Sequence, residues 1–85
     1  MSEKITVYTA KPCPYCSRAK ALLAERGLKY EEILLSYDDE PAWDALQKKS
    51  GMSTVPQIFY GDKLIGGYSD LAALDAKDGL KSIGA

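Results

Sequence analysis

Two cysteines, Cys13 and Cys16, are the chain's only thiols and sit in Cys-Pro-Tyr-Cys; the chain has no histidine. A structural zinc site takes four Cys or His ligands, so two thiols without an imidazole cannot close one. Catalysis that depends on a histidine base is excluded on the same count. A structural staple is poorly served as well. In the chain-entropy model a bridge over so short a loop is worth roughly 2 kcal/mol, against about 4.7 for a loop near 100 residues. A bond that contributes so little to folding is suited to being made and broken. C-x-x-C beside a βαβ pattern reads as a thioredoxin-like redox motif. Inert buried thiols and a metal shared with other donors are the alternative readings.

Two further stretches can carry chemistry. Thr54-Val55-Pro56 puts a proline at the start of a strand, where no ladder N–H is required. From the residues alone it reads as a trans proline at a strand edge, since roughly 5–6% of X–Pro bonds are cis. A cis bond would instead turn the Val55 backbone toward the cysteine loop, free to pair with an extended peptide. Gly66-Gly67-Tyr68-Ser69-Asp70 sets two glycines before a helix. That start offers N–H groups to a carboxylate, with Asp70 placed to meet an ammonium, as in an α-amino-acid head. The plainer reading is an ordinary helix cap after a flexible turn.

The elements that must position these residues follow from patterning. Lys4–Thr9 is β-branched and aromatic and predicts a buried strand. Pro14–Arg26 is dense in strong helix formers, with Cys16, Ala19, Leu22 and Leu23 on one stripe and Gly27 at the C-terminal cap. Tyr30–Leu35 is a second strand. Asp38-Asp39-Glu40-Pro41 opens a second helix that carries Trp43 and Leu46 inward and ends near Gly51. Val55–Tyr60 and Lys63–Ile65 form a hairpin around Gly61-Asp62. Ser69-Asp70 caps a last helix through Leu71 and Leu74. The order β-α-β-α-β-β-α makes an α/β, thioredoxin-like fold: a four-stranded mixed sheet with helices on both faces.

Cys13 therefore stands where the first helix begins, and unpaired N–H groups and the helix dipole favour its thiolate. Such positions lower a thiol from about 8.5 to somewhere between about 3.5 and 7.5. Cys16, one turn later, faces inward without that help. The spacing makes two unlike thiols, an exposed nucleophile and a resolving partner. Pro14 removes one possible N–H donor, and Tyr15 points outward beside the site.

Eighty-five residues leave room for one domain, expected to be residues 1–85, and 46% hydrophobic with 27% charged residues is ordinary globular composition. No apolar run approaches the roughly 20 residues of a membrane helix. Met1–Lys4 opens no secretory signal, which makes the cytoplasm the expected compartment. The net charge of −1 is unevenly spread: residues 1–29 hold six Lys/Arg against two Glu, and residues 30–47 hold six acids and no base. No overall basic field of the kind nucleic acid attracts is present. The positive excess lies around Lys11, Arg18 and Lys20, beside the cysteines, where a small anionic ligand would be welcome.

Taken together, Cys13-Pro14-Tyr15-Cys16, Thr54-Val55-Pro56-Gln57-Ile58-Phe59 and Gly66-Gly67-Tyr68-Ser69-Asp70-Leu71 resemble a glutaredoxin, closest to the small bacterial dithiol members. The likeness runs from about Lys4 to Leu80. It implies a glutathione-dependent thiol-disulfide oxidoreductase in which Cys13 attacks and Cys16 or a second glutathione resolves the mixed disulfide. It implies glutathione as co-substrate, no permanently bound cofactor or metal, protein disulfides as substrates, and a monomer that engages neither nucleic acid nor membrane. Glutathione would touch Lys11, Tyr15, Thr54, Val55, a cis Pro56, Gly67, Ser69 and Asp70. Three positions depart from the family pattern. Ala10 stands where the family usually has lysine, with Lys11 displaced by one. Trp43 stands where many members carry Gln or Arg, and Tyr68 replaces a frequent third cysteine. Two rival readings are a redoxin served by thioredoxin reductase and an iron–sulfur scaffold shared by two chains; Pro14 and a competing Cys16 argue against the scaffold.

The helix-start argument yields a direct expectation. Alkylation rate against pH, resolved by peptide mapping, should show Cys13 reacting as thiolate well below about pH 8.5 and Cys16 titrating later. A Cys13 midpoint at the ordinary thiol value would contradict it.

Overall fold

The computed structural model describes residues 3–85, so Met1 and Ser2, half of the stretch read above as free of a leader, lie outside the described residues. Three helices and four strands follow in the order β1 (Ile5–Ala10), α1 (Pro14–Glu25), β2 (Glu31–Leu35), α2 (Glu40–Ser50), β3 (Gln57–Tyr60), β4 (Lys63–Gly66) and α3 (Tyr68–Asp78). The sheet order is β2-β1-β3-β4, with β1 parallel to β2 and antiparallel to β3. The expected α/β, thioredoxin-like architecture is therefore the observed one.

Alternation along β1 sorts the two faces. Ile5 and Val7 are buried with Ile58 against Ala19 and Leu23 of α1 and Leu71 of α3. On the opposite face Tyr8 meets Phe59 edge-on, at 5.6 Å between centroids, and Lys49 of α2 lies 4.7 Å above the Phe59 ring. Each fully buried Leu or Ile adds about 1.5–3 kcal/mol. Truncating Leu23, which is wholly inaccessible, would cost about 2–5 kcal/mol.

Helix α1 stops as its glycine requires. Gly27 adopts φ 74°, its N–H donates to Ala24 O, and the Leu28 N–H donates to Leu23 O. That pair of bonds is the Schellman arrangement, which needs a left-handed residue.

Several boundaries differ from the sequence reading. β3 begins at Gln57 and not at Val55, because Pro56 has no N–H to give a ladder; the Val55–Pro56 bond is cis. A second cis bond, Lys11–Pro12, lies just before the cysteines. Helix α3 starts at Tyr68 with Gly67 as its N-cap, so Ser69 and Asp70 lie inside its first turn. Only Leu46 of α2 is buried. Trp43 is not inward: its indole N–H donates to Ser36 O at 2.8 Å, and its ring stacks on exposed Tyr37 at 5.6 Å and 14°. An indole needs an acceptor when covered, and the loop before α2 supplies one that the core does not. A short 3-10 turn, Lys81–Ile83, was not expected; it follows buried Leu80 and carries Ile83 into the core.

Helices α1 and α3 are joined at the surface by Arg26, whose Nε and Nη2 donate to the two Asp75 carboxylate oxygens at 2.7 and 2.9 Å. Those bonds hold the Asp75 carboxyl below its ordinary 3.8. A depressed carboxyl contributes stability above its unfolded value and loses it as pH falls through the folded one. Asp75→Asn should therefore melt a few degrees below the parent chain at neutral pH. The gap should narrow as the pH is taken below the ordinary carboxylate range, as thermal melts at several pH values would show.

Candidate functional site

The site is built at two helix starts. Cys13 is the N-cap of α1, with extended backbone at φ −152° and ψ 96°. Pro14 occupies the first helical position, where its fixed φ suits the helix. Extended backbone at the cap aims the sulfur back over the first turn, and the Cys16 N–H points at Cys13 Sγ from 3.2 Å. The proline thus removes one donor while Cys16 supplies another from its own backbone. Cys13 and Cys16 are joined as a disulfide, with Cα atoms 5.2 Å apart. Cys13 is half-buried at the surface; Cys16 is 3% exposed. The two sulfurs differ in exposure, with Cys16 inward as expected and Cys13 nearer the surface.

Beside the disulfide runs an open groove of about 410 Å³, lined by Tyr15, Met52, Thr54, Val55, Pro56, Gly67, Tyr68, Ser69 and Asp70. The cis Val55–Pro56 bond overturns the trans reading made from the residues alone and agrees with the one the resemblance implies. The Val55 carbonyl oxygen lies 3.8 Å from Cys13 Sγ. At the far end, α3 offers its first-turn N–H groups. The Asp70 carboxylate accepts from the Gly67 N–H at 3.0 Å, so it caps its own helix as well as facing the groove. This is the reach-back half of a capping box, satisfying the N-cap N–H from the third helical residue.

Seven of the eight residues expected to touch glutathione line this groove; Lys11 does not. Lys11 is exposed, and its charge is felt by Glu32 instead. The Glu32 carboxyl sits below its ordinary value. The Thr9 hydroxyl, donating at 2.7 Å, is the main cause, followed by Lys20 at 3.0 Å, with Lys11 contributing through its charge. Trp43, the other position weighed for a carboxylate contact, is engaged with Ser36 and Tyr37 away from the groove.

Met52 and Tyr68 line the groove without having been singled out as contacts. The Tyr68 ring lies 6.0 Å from that of Tyr15, and Arg18 sits 5.2 Å over the other aromatic partner, Tyr15. A tyrosine directly after a glycine pair was visible in the sequence, but its packing partner is a helix away. Gln57 was also passed over. It is wholly buried, its Nε2 donates to the carbonyls of Met52 (3.2 Å) and Thr54 (2.8 Å), and its Oε1 has no partner among the described residues. An unpaired buried polar atom costs about 1–3 kcal/mol.

Chemically, this arrangement presents a sulfur at a helix start with a backbone N–H aimed at it, a second sulfur bonded to it, and a groove beside them that ends at the first turn of α3.

Comparison with known proteins decides what family this is. The glutaredoxin family model matches residues 5–65, a span that includes both cysteines and the cis proline. The chain belongs to the glutaredoxin family. It is 45% identical over 76 residues to glutaredoxin 3 of Escherichia coli K12, covering 89% of this chain and 90% of that relative. It is 44% identical over 72 residues to a glutaredoxin of Pseudomonas aeruginosa, covering 84% of this chain and 83% of the other. Among solved structures, a glutaredoxin from Brucella melitensis superposes with a TM-score of 0.80 at 43% identity, over 95% of this chain and 87% of that one. A buckwheat glutaredoxin–glutathione complex gives 0.85 at 30% identity, over 95% and 76%. Glutaredoxins are glutathione-dependent disulfide oxidoreductases, and a Cys13–Cys16 disulfide at the start of α1 is the dithiol form of that chemistry. No helix among the described residues is long and apolar enough to cross a membrane.

Proposed function

We propose that residues 1–85 act as one dithiol glutaredoxin domain, a cytoplasmic monomer that reduces glutathione mixed disulfides and protein disulfides at Cys13. The observation that carries this reading is the Cys16 N–H aimed at Cys13 Sγ, beside a groove that ends at the first turn of α3. The Cys13 thiolate attacks the glutathione sulfur of a mixed disulfide, a new S–S bond forms to Cys13, and the substrate leaves as its own thiolate. A second glutathione thiolate then attacks that bond, releasing oxidised glutathione and restoring the Cys13 thiolate. With a protein disulfide, Cys16 can instead attack the mixed disulfide. The Cys13–Cys16 bond that results is reopened by two glutathiones in succession.

Glutathione is held from both ends in this reading. Its γ-glutamyl carboxylate meets the N–H groups at Ser69 and Asp70, its ammonium meets the Asp70 carboxylate, and its backbone pairs with Val55. Thr54, Pro56 and Gly67 shape the walls and Tyr15 flanks the sulfur. The glycine carboxylate is left to Lys11, an exposed cation already within the field of Glu32. A glutathione-coupled assay with a small glutathione mixed disulfide tests the whole scheme, and an equal rate with thioredoxin reductase as electron source would displace it.

Two sets of variants divide the roles. Cys13→Ser should abolish turnover, since a hydroxyl is a far weaker nucleophile at neutral pH, while Cys16→Ser should keep deglutathionylation. Equal loss in both would contradict unequal thiols. Asp70→Ala should raise KM for glutathione mixed disulfides several-fold. Lys11→Ala should change it less than about fivefold, as suits an exposed pair worth about 0–1 kcal/mol. Steady-state kinetics at fixed ionic strength would rank the two ends.

A further inference from the structure

Residues 52–56, which carry the Val55 backbone edge into the groove, belong to neither helix nor strand. Their carbonyls are anchored by side chains. Gln57 holds Thr54 O and Met52 O, and the Met52 N–H donates to the Ser50 hydroxyl at 3.0 Å, which itself donates to Leu46 O at 3.0 Å. Gln57 itself lines no part of the groove. Its burial is complete and its Oε1 is unpaired, so a side chain needed only to fill space would do better as an apolar one of the same length. What the amide supplies is its two donors, and both go to residues on the groove wall. The same loop brings Val55 O to 3.8 Å from Cys13 Sγ, so its placement also sets how a peptide lying along it meets the sulfur.

Building on the glutathione reading above, we propose that Gln57 is a positioning residue for glutathione: its buried amide clamps the Met52–Thr54 turn so that Val55 presents its backbone edge to the peptide.

Gln57→Met keeps length and removes both donors. Gln57→Glu keeps one, because a buried carboxyl facing two carbonyls is held in its protonated form. KM and kcat are measured with a small glutathione mixed disulfide, alongside melting temperature and the reaction rate of the reduced protein with an aromatic disulfide that carries no glutathione. Gln57→Met should raise KM by about fivefold or more with kcat within about twofold, since misplaced binding groups and not the thiols are affected. Its melting temperature should fall by no more than a few degrees, the two freed carbonyls being offset in part by removal of the unpaired Oε1; its rate with the aromatic disulfide should match the parent's, and Gln57→Glu should fall between the two in KM. An unchanged KM in Gln57→Met overturns the proposal. So does a loss of melting temperature together with both activities, which would mark Gln57 as merely structural. A parent chain that does not favour the glutathione mixed disulfide over the aromatic one would overturn the glutathione reading itself, whatever the variants do.

Discussion

The backbone N–H of Cys16 directed at the Cys13 sulfur is the contact around which the structure is arranged. It exists only if Cys13 is extended while Pro14, Tyr15 and Cys16 are already helical, so β1 must end and α1 begin within a few residues. The core enforces that junction. Val7 and Ala10 hold the end of β1 in the sheet, while Ala19 and Leu23 hold α1 against it, all at or near zero exposure. With both elements pinned, the three residues between Ala10 and Pro14 have little freedom, and the sulfur is left at the surface facing the helix start.

The groove uses the same physics twice. The start of α1 faces the Cys13 sulfur with a backbone N–H, and the start of α3 faces the groove with amides suited to a carboxylate. Neither depends on a nearby cation. The basic residues close in sequence to the cysteines are drawn elsewhere: Lys20 to Glu32, Arg18 to the face of Tyr15. The positive excess that residues 1–29 show on paper is thus partly neutralised by the acids of the following segment once β1 and β2 pair.

Between the two helix starts lies the loop through Val55 and Pro56, and it is held by different means. Gly51 in the left-handed region ends α2, Ser50 turns back to bond Met52, and Gln57 reaches up from the start of β3. A wall made of irregular backbone needs side chains to satisfy its carbonyls, because no ladder does so. One buried amide serves two of them.

Much of this was legible in the sequence, where local chemistry decides the outcome. The element order, the cap at Gly27, the inward Cys16 and outward Tyr15, and the three segments that meet at the site follow from periodicity, glycine and proline placement, and motif spacing. What the sequence did not determine were matters settled between distant residues. Val55–Pro56 reads as trans on local preference, and its cis form depends on how the loop meets the cysteine turn and the sheet. Trp43 reads as core on hydrophobicity, yet its indole N–H went to Ser36, the acceptor within reach. Lys11 reads as a glutathione contact from the resemblance and its place beside the cysteines, but lies off the groove and within the field of Glu32 on the neighbouring strand. Gln57 gives no local sign of its role, because its two partners are carbonyls that come within reach only when the preceding loop folds back. Spacing along one helix or strand is fixed by covalent geometry and can be read directly; pairing across elements depends on which partners the packed core brings within hydrogen-bonding distance, and only the tertiary structure decides that.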